Sequence, residues 1–132
     1  MAQEKYQVLL LGHGEMGQAM EYWLCPRHDV VIWQRHPKSG PALDLSATAA
    51  RSDFVFFCLP AAPHFELATQ LRPALRATTL CLSIAKGLDD QARTAAQVLH
   101  TVFAEDVVWG VLHGPMISEE IRAGRPAFAD FA

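Results

Sequence analysis

The chain has 132 residues, of which 51% are hydrophobic and 19% are charged, and its formal net charge is −3. These values are typical of one globular domain, and they exclude the strongly basic surface that attracts nucleic acid or anionic lipid. The first residues also lack the long apolar run of a signal peptide or membrane span, so we expect a single cytoplasmic domain over residues 1–132.

Strands and helices alternate along the first half of the chain. An apolar strand is predicted over 6–11, and apolar residues at helical spacing predict a helix over 16–24. A β-branched and aromatic run predicts the second strand at 29–34, and a short helix follows over 42–51. The third strand is predicted at 54–59, where Pro60 ends it.

The second half continues the alternation. Pro63 fits the first turn of a helix over 63–75 that Pro73 breaks, and a fourth strand follows at 79–84. A long helix is predicted over 91–103, with Asp89 and Asp90 as candidate caps. The last predicted elements are a strand at 107–112, a helix at 117–123 and a strand at 128–132.

The predicted strands are continuously apolar, which is typical of strands whose two faces are both covered by helices. The sequence therefore predicts an α/β fold: a Rossmann-type, doubly wound, mainly parallel sheet in a single domain.

The cysteines and histidines give no indication of a disulfide framework or a metal site. Three cysteines, Cys25, Cys58 and Cys81, lie in or beside apolar segments without a C-x-x-C motif. This pattern predicts buried thiols in a reducing compartment. The six histidines are scattered without the spacing of metal ligands, so we interpret them as surface or capping residues and predict no metal.

A G-x-G-x-x-G motif directly follows the first strand, and a helical pattern follows the motif. Its residues are Gly12, His13, Gly14, Glu15, Met16 and Gly17. In this context the motif predicts the phosphate-binding turn of a dinucleotide-binding unit. The first glycine permits the tight turn, the second lets the backbone approach a pyrophosphate, and the third lets the helix pack close to the sheet. A glycine-rich turn without a ligand is the alternative.

Other candidate residues also come where strands end, and in open α/β sheets ligands bind at that edge. These places are 34–36, 60–62, 85–87 and 113–115. We expect them to converge with the glycine-rich turn on one site.

Arg35 stands about 18 residues after the motif, where binders of NAD usually carry an acidic residue. Because Arg35 could hold a 2′-phosphate and no carboxylate is evident to oppose it, the sequence favours NADP over NAD. A solvated arginine at a strand end is the alternative.

Glu15 and Lys86 are charged residues at this expected site. Glu15 is favoured by the helix dipole, yet its charge would repel a pyrophosphate. Lys86 follows the fourth strand and could bind a phosphate or polarise a substrate oxygen. A solvent-facing loop lysine is the alternative reading of Lys86.

Three segments together resemble a known family: V-I-W-Q-R at 31–35, S-I-A-K-G-L-D at 83–89 and G-P-M-I-S-E-E-I-R-A-G-R-P at 114–126. With the glycine-rich turn, they are similar to the N-terminal domain of NAD(P)-dependent glycerol-3-phosphate dehydrogenases. The turn is also similar to that of 6-phosphogluconate and hydroxyisobutyrate dehydrogenases and of pyrroline-carboxylate reductases.

The resemblance implies roles for four residues. Lys86 would contact both the substrate phosphate and the cofactor, Gly114 would lie against the substrate, Ser118 would contact the cofactor, and Pro60 would line the nicotinamide side. Glycerol 3-phosphate is the implied substrate.

The chain departs from the family in three ways. Met116 stands where the family has Ser or Thr, and its thioether cannot donate a hydrogen bond to substrate. The stretch between Arg35 and Ser52 is short, and the sequence ends near Ala132, where the family continues into a helical domain that supplies the catalytic lysine. Lys5, Lys38 and Lys86 do not match that lysine, so no catalytic residue is assigned.

Three hypotheses follow. The first is a dinucleotide-binding part of a glycerol-3-phosphate dehydrogenase. The second is a non-catalytic dinucleotide-binding or sensing module, and the third is a scaffold that binds a partner subunit. An apolar patch near the carboxyl ends of the strands, left without a partner domain, predicts self-association, for example as a homodimer.

Overall fold

The structure, a computed structural model, describes residues 4–35, 43–113 and 130–131. Its strands are β1 (Gln7–Leu11), β2 (Asp29–Trp33), β3 (Phe54–Phe57), β4 (Leu80–Ser83), β5 (Val108–His113) and β6 (Asp130–Phe131). Its helices are α1 (Glu15–Leu24), α2 (Leu45–Ala50), α3 (His64–Leu71) and α4 (Ala95–Phe103), and a short 3₁₀ helix spans Arg72–Ala74.

The six strands of the described residues belong to one sheet, in the order β2-β1-β3-β4-β5-β6. The first five strands pair in parallel, and β6 pairs antiparallel with β5. The predicted α/β fold with a doubly wound, mainly parallel sheet is confirmed. The chain moves outward from β1 to β2 and then crosses to β3 on the other side of β1, which places the switch point of this topology between β1 and β3.

Alternate residues of the central strands enter two separate cores, as the strand period of two requires. On one face, Leu9 and Phe57 are buried among residues of α2, α3 and α4. On the other face, Leu10 and Phe56 pack with Met20 of α1. Helices therefore lie on both faces of the sheet, which explains why the interiors of the central strands are apolar.

The third helix agrees with the sequence prediction. Pro63 is the N-cap of α3, the α-helix ends at Leu71, and Pro73 lies in the 3₁₀ helix that follows. Pro73 has no backbone N–H to continue the hydrogen-bond ladder, so the helix changes its geometry there.

The start of the fourth helix was predicted wrongly. The helix begins at Ala95 with Thr94 as its N-cap, rather than at residue 91 with Asp89 or Asp90 as the cap. The Asp89 side chain instead closes the preceding turn, where its Oδ1 accepts hydrogen bonds from the backbone N–H groups of Gln91 (3.0 Å) and Arg93 (2.8 Å). The predicted helix over 117–123 lies outside the described residues.

Thr94 and Gln97 form a reciprocal capping box at this helix start. The Thr94 hydroxyl accepts from the backbone N–H of Gln97 (3.1 Å), and the Gln97 side chain accepts from the backbone N–H of Thr94 (2.8 Å). We expect Thr94→Ala to lower the free energy of unfolding by about 1 kcal/mol, measured by urea denaturation. Thr101→Ala, in the exposed interior of the same helix, is the control. An equal loss in both variants would contradict the capping role.

The prediction of buried cysteines is confirmed for two of the three. Cys58 and Cys81 are buried, and burial raises the pKa of each thiol to about 12. Both therefore remain protonated at neutral pH and act as packing groups instead of nucleophiles. Cys25 is exposed, contrary to the prediction, because it follows the last residue of α1 as the C-cap and leaves the apolar face of that helix.

Candidate functional site

The glycine-rich turn begins at Gly12, which directly follows β1. Gly12 has a φ of +106°, and a Cβ on it would lie 2.6 Å from the backbone oxygen of Cys58. Its N–H donates to the carbonyl of Trp33 at the end of β2 (2.9 Å). The turn is thus fixed between β2 and β3, and a residue with a side chain at position 12 would be strained and crowded.

The other two glycines of the motif, Gly14 and Gly17, have different surroundings. A Cβ on Gly17 would lie 2.3 Å from the carbonyl oxygen of Gly12, so the close contact between α1 and the turn excludes any side chain there. A Cβ on Gly14 would meet nothing within 4 Å, and the φ of −77° and ψ of −159° at Gly14 suit any residue. Gly12 and Gly17 are therefore needed by the fold, whereas the fold makes no such demand at position 14.

Gly14 opens onto a cleft of about 390 Å³. The residues that line it are Gly14, Glu15, Met16, Cys58, Leu59, Pro60, Ile84, Ala85 and Lys86. They come from three segments that follow β1, β3 and β4, so the cleft lies at the carboxyl ends of these strands and at the β1/β3 switch point. Three of the five places predicted from the sequence meet here.

The amino end of α1 forms one wall of this cleft. Gly14 is the N-cap of the helix, which is ten residues long, and as a glycine it offers no side chain to cap the backbone N–H groups of the first turn. Those N–H groups and the helix dipole favour an anion. A diphosphate fits this wall because Gly14 leaves open the volume that a Cβ would fill.

Charges of opposite sign lie at two parts of the cleft. Glu15, in the first turn of α1, and Lys86, after β4, both line it. A negative charge at Glu15 opposes the binding of an anion in the cleft, and a positive charge at Lys86 favours it. Cys58 contributes a neutral thiol to the lining.

His13 belongs to the turn, but its side chain leaves the cleft. Its Nε2 lies 2.9 Å from the Glu21 carboxylate on α1, and the Gln18 side chain donates to its backbone carbonyl (3.2 Å). His13 and Glu21 line a second, larger cavity of about 550 Å³ along the side of α1. That cavity is lined by α1 and the residues that flank it, away from the carboxyl ends of β3 and β4, so we assign the site to the smaller cleft.

Arg35 lies beyond the end of β2 and makes a contact that the sequence did not reveal. Its two terminal nitrogens lie 3.3 and 3.2 Å from the two carboxylate oxygens of Glu66 on α3, and its guanidinium lies 5.8 Å from the ring centre of Trp33. The assumption that no carboxylate opposes Arg35 was wrong. The Arg35 guanidinium is paired with the carboxylate of Glu66, which is 31 positions away in the chain.

His64 is a polar residue of this region that sequence reasoning missed, since histidines were interpreted as surface or capping residues. It is fully buried, its ring centre lies 4.9 Å from that of Phe57, and both of its ring nitrogens have partners. The sequence spacing could have predicted this burial, because His64 lies on the same face of α3 as the buried residues Leu67, Ala68 and Leu71.

Comparison with known proteins agrees with the topology of the sheet. The family described as "NAD-dependent glycerol-3-phosphate dehydrogenase N-terminus" matches residues 38–130. The chain belongs to this family. Within the family, a glycerol-3-phosphate dehydrogenase [NAD(P)+] of Gloeobacter violaceus is 35% identical over 124 residues, which cover 92% of this chain and 39% of the relative.

A second glycerol-3-phosphate dehydrogenase [NAD(P)+], from Nitrosomonas europaea, is 27% identical and covers 91% of this chain and 44% of its own length. The crystal structure of glycerol-3-phosphate dehydrogenase from Coxiella burnetii superposes with a TM-score of 0.76 at 21% identity, over 96% of this chain and 46% of that protein. The chain therefore spans less than half the length of these glycerol-3-phosphate dehydrogenases, and it has the fold of the matched part of the Coxiella burnetii structure.

The family-implied residues fall into two groups. Lys86 and Pro60 both line the cleft, on walls that follow β4 and β3. Gly114 and Ser118, like Met116, lie outside the described residues. Within the ranges that the structure does describe, no group of three or more His, Cys, Asp or Glu residues could hold a metal ion.

Proposed function

We propose that this chain binds a nicotinamide dinucleotide, NAD or NADP, in the cleft at the β1/β3 switch point. The observation that carries the proposal is the convergence of the amino end of α1, Pro60 and Lys86 on one opening at the carboxyl edge of the sheet. The open volume at Gly14 supports it, because that volume lets a pyrophosphate approach the backbone.

Each wall has a role in this proposal. The N–H groups at the start of α1 donate to the pyrophosphate, Pro60 limits the space on the nicotinamide side, and Lys86 adds a positive charge. A bound nicotinamide supplies hydride transfer, and the protein supplies its position and the electrostatic field around it.

As part of a glycerol-3-phosphate dehydrogenase, the site would serve the interconversion of glycerol 3-phosphate and dihydroxyacetone phosphate, with Lys86 and Gly114 on the substrate. We assign no catalytic residue to this chain, and we do not propose that it is self-sufficient for catalysis. Its relatives are more than twice as long.

Titration of the purified chain with NADH and with NADPH, followed by nicotinamide fluorescence, tests the proposal directly. Saturable binding of either cofactor is expected. If neither cofactor binds at millimolar concentration, the dinucleotide assignment is wrong and a scaffold role is favoured.

A non-catalytic binding or sensing module is the second candidate, and one observation favours it. Glu15 lines the cleft beside the helix end, where its charge weakens a phosphate contact. Binding without turnover of dihydroxyacetone phosphate would support this candidate, and turnover would exclude it.

We also propose a preference for NADP over NAD, based on Arg35. In this proposal the guanidinium exchanges the Glu66 carboxylate for the 2′-phosphate, which is possible at small cost because exposed ion pairs contribute only about 0–1 kcal/mol. Both side chains are well exposed, with 47% of Arg35 and 65% of Glu66 accessible.

Arg35→Glu tests this preference. We expect the affinity for NADPH to fall by about tenfold or more, while the affinity for NADH changes little, because a charged hydrogen bond contributes about 1.5–3 kcal/mol. Fluorescence titrations measure both affinities. Arg51→Glu, an equal charge change at the end of α2, is the matched control. Equal losses for the two cofactors would remove the basis for the preference.

Self-association and a cytoplasmic location are two further parts of the proposal. For self-association, the exposed apolar side chains of Phe65 and Leu88 lie after β3 and β4, and the Arg93 guanidinium lies 4.8 Å from the ring centre of Phe65. This surface would support a homodimer. Among the helices that the structure describes, none has the length and apolar character needed to cross a membrane.

A further inference from the structure

A buried hydrogen-bond chain joins the two loops that wall the cleft. The His64 Nδ1 lies 2.9 Å from the backbone oxygen of Pro60, and its Nε2 lies 2.8 Å from the Ser83 hydroxyl. The same hydroxyl accepts from the backbone N–H of Ala85 (3.1 Å). Pro60 and Ala85 are the two ends of this hydrogen-bond chain, and both line the cleft.

The partners fix the tautomer of the imidazole. A carbonyl oxygen can only accept, so Nδ1 carries the proton and donates to Pro60. Nε2 is then an acceptor, and the Ser83 hydroxyl donates to it while accepting from Ala85. Burial lowers the pKa of His64, against smaller opposing effects of the Pro60 carbonyl and Asp89, so the required neutral form is the one present at neutral pH.

His64 and Ser83 are both fully buried, and neither of them lines the cleft. Their hydrogen bonds are therefore made in a water-excluded environment, where a satisfied polar network is rigid. The chain connects the loop after β3 to the loop after β4 across neighbouring strands. Lys86 is the next residue after Ala85.

We propose that His64, acting through Ser83, is a positioning residue that sets the separation between Pro60 and Lys86 and so prepares the cleft for a dinucleotide. This inference rests on the proposed function, because it assumes that the cleft is the cofactor site. His64 touches neither the cofactor nor the reacting atoms in this role.

Ser83→Ala tests the proposal by removing the connection while leaving the imidazole in place. We expect the affinity for NADH, measured by fluorescence titration, to fall about tenfold. Ser52→Ala is the matched control, because it removes a buried hydroxyl that donates to the Thr48 carbonyl, before β3 at the opposite edge of the sheet. The control is expected to lose stability without losing affinity. Ser83→Thr retains the hydroxyl and is expected to restore binding.

If Ser83→Ala does not fold, His64→Gln serves as the second variant. It keeps an acceptor within reach of Ser83 but removes the imidazole that joins Ser83 to Pro60, and the same loss of affinity for NADH is expected. An affinity in Ser83→Ala within twofold of the parent chain, or an equal loss of affinity in Ser52→Ala, would overturn the proposal.

Amide hydrogen exchange without cofactor separates this inference from the proposed function. In Ser83→Ala we expect faster exchange in both loops, 58–61 and 84–87, and no change there in Ser52→Ala. Unchanged exchange in the loop at 58–61 would overturn the positioning role even if the cofactor binds. A parent chain that binds neither NADH nor NADPH would overturn the proposed function and, with it, the role of this network in cofactor binding.

Discussion

Gly14→Val is expected to abolish dinucleotide binding while leaving the domain folded. The valine side chain would project into the open volume beside the amino end of α1, which the pyrophosphate is proposed to fill. Loss of two charged hydrogen bonds from backbone N–H groups, at about 1.5–3 kcal/mol each, predicts a fall in affinity of about a hundredfold or more.

The fold should tolerate this change. The backbone at Gly14 is extended, with a φ of −77° and a ψ of −159°, which suits a β-branched residue. The cost of replacing a glycine N-cap is about 1 kcal/mol or less. Fluorescence titration with NADH and NADPH measures the affinity, and thermal unfolding monitored by circular dichroism measures the stability.

An unchanged affinity in a folded Gly14→Val variant would remove the cleft as the binding site. A loss of both binding and folding would instead mean that the open volume at Gly14 is needed by the fold, contrary to its geometry.

Gly17→Ala is expected to have the opposite effect, with a large loss of stability. The added methyl group would lie 2.3 Å from the Gly12 carbonyl oxygen and 2.9 Å from the Gly12 carbonyl carbon, and both atoms are backbone. Because a backbone carbonyl cannot rotate aside as a side chain can, α1 has to move away from the turn. Such overpacking costs about 1–3 kcal/mol.

The measurement for Gly17→Ala is the free energy of unfolding in urea, with Gly14→Ala as the matched control. The two variants add the same methyl group three positions apart, one against backbone and one into open space. A melting temperature lowered by roughly 4 °C per kcal/mol is expected for Gly17→Ala. Equal stabilities of the two alanine variants would contradict the packing argument.

The fold could be predicted from the sequence because its signals are local. The apolar runs of β1 and β3, the helical spacing of α1 and the prolines at 63 and 73 each act within a few residues. The topology then follows, since continuously apolar strands that alternate with helices favour a parallel sheet. The glycine-rich turn and the convergence of three strand ends were predictable for the same reason.

The predictions were wrong where two neighbouring residues could each cap the same helix, and where a contact joins residues that are far apart in the chain. Asp89 and Thr94 are both good capping residues, and the sequence does not reveal that Asp89 closes a turn with Arg93. The pairing of Arg35 with Glu66 joins residues 31 positions apart, and α2 and β3 lie between them in the chain. Pattern analysis along the chain has no access to such a contact.

His64 shows a different kind of failure. Its type suggests exposure, but its place on the buried stripe of α3 suggests the opposite, and the second indication was correct. A histidine can be buried there because Pro60 and Ser83 satisfy both of its ring nitrogens.

The unequal demands on the three glycines of the turn have a consequence for how related chains diverge. Mutation at position 12 or 17 is constrained by the architecture itself, whereas position 14 is constrained only by whatever occupies the cleft. If the cleft binds a nucleotide as proposed, a copy that arises by gene duplication could lose that ligand through a single change at position 14 and still be retained as a stable protein. A homologue that keeps the outer two glycines but has a bulky middle residue is therefore expected to have inherited the architecture without the ligand.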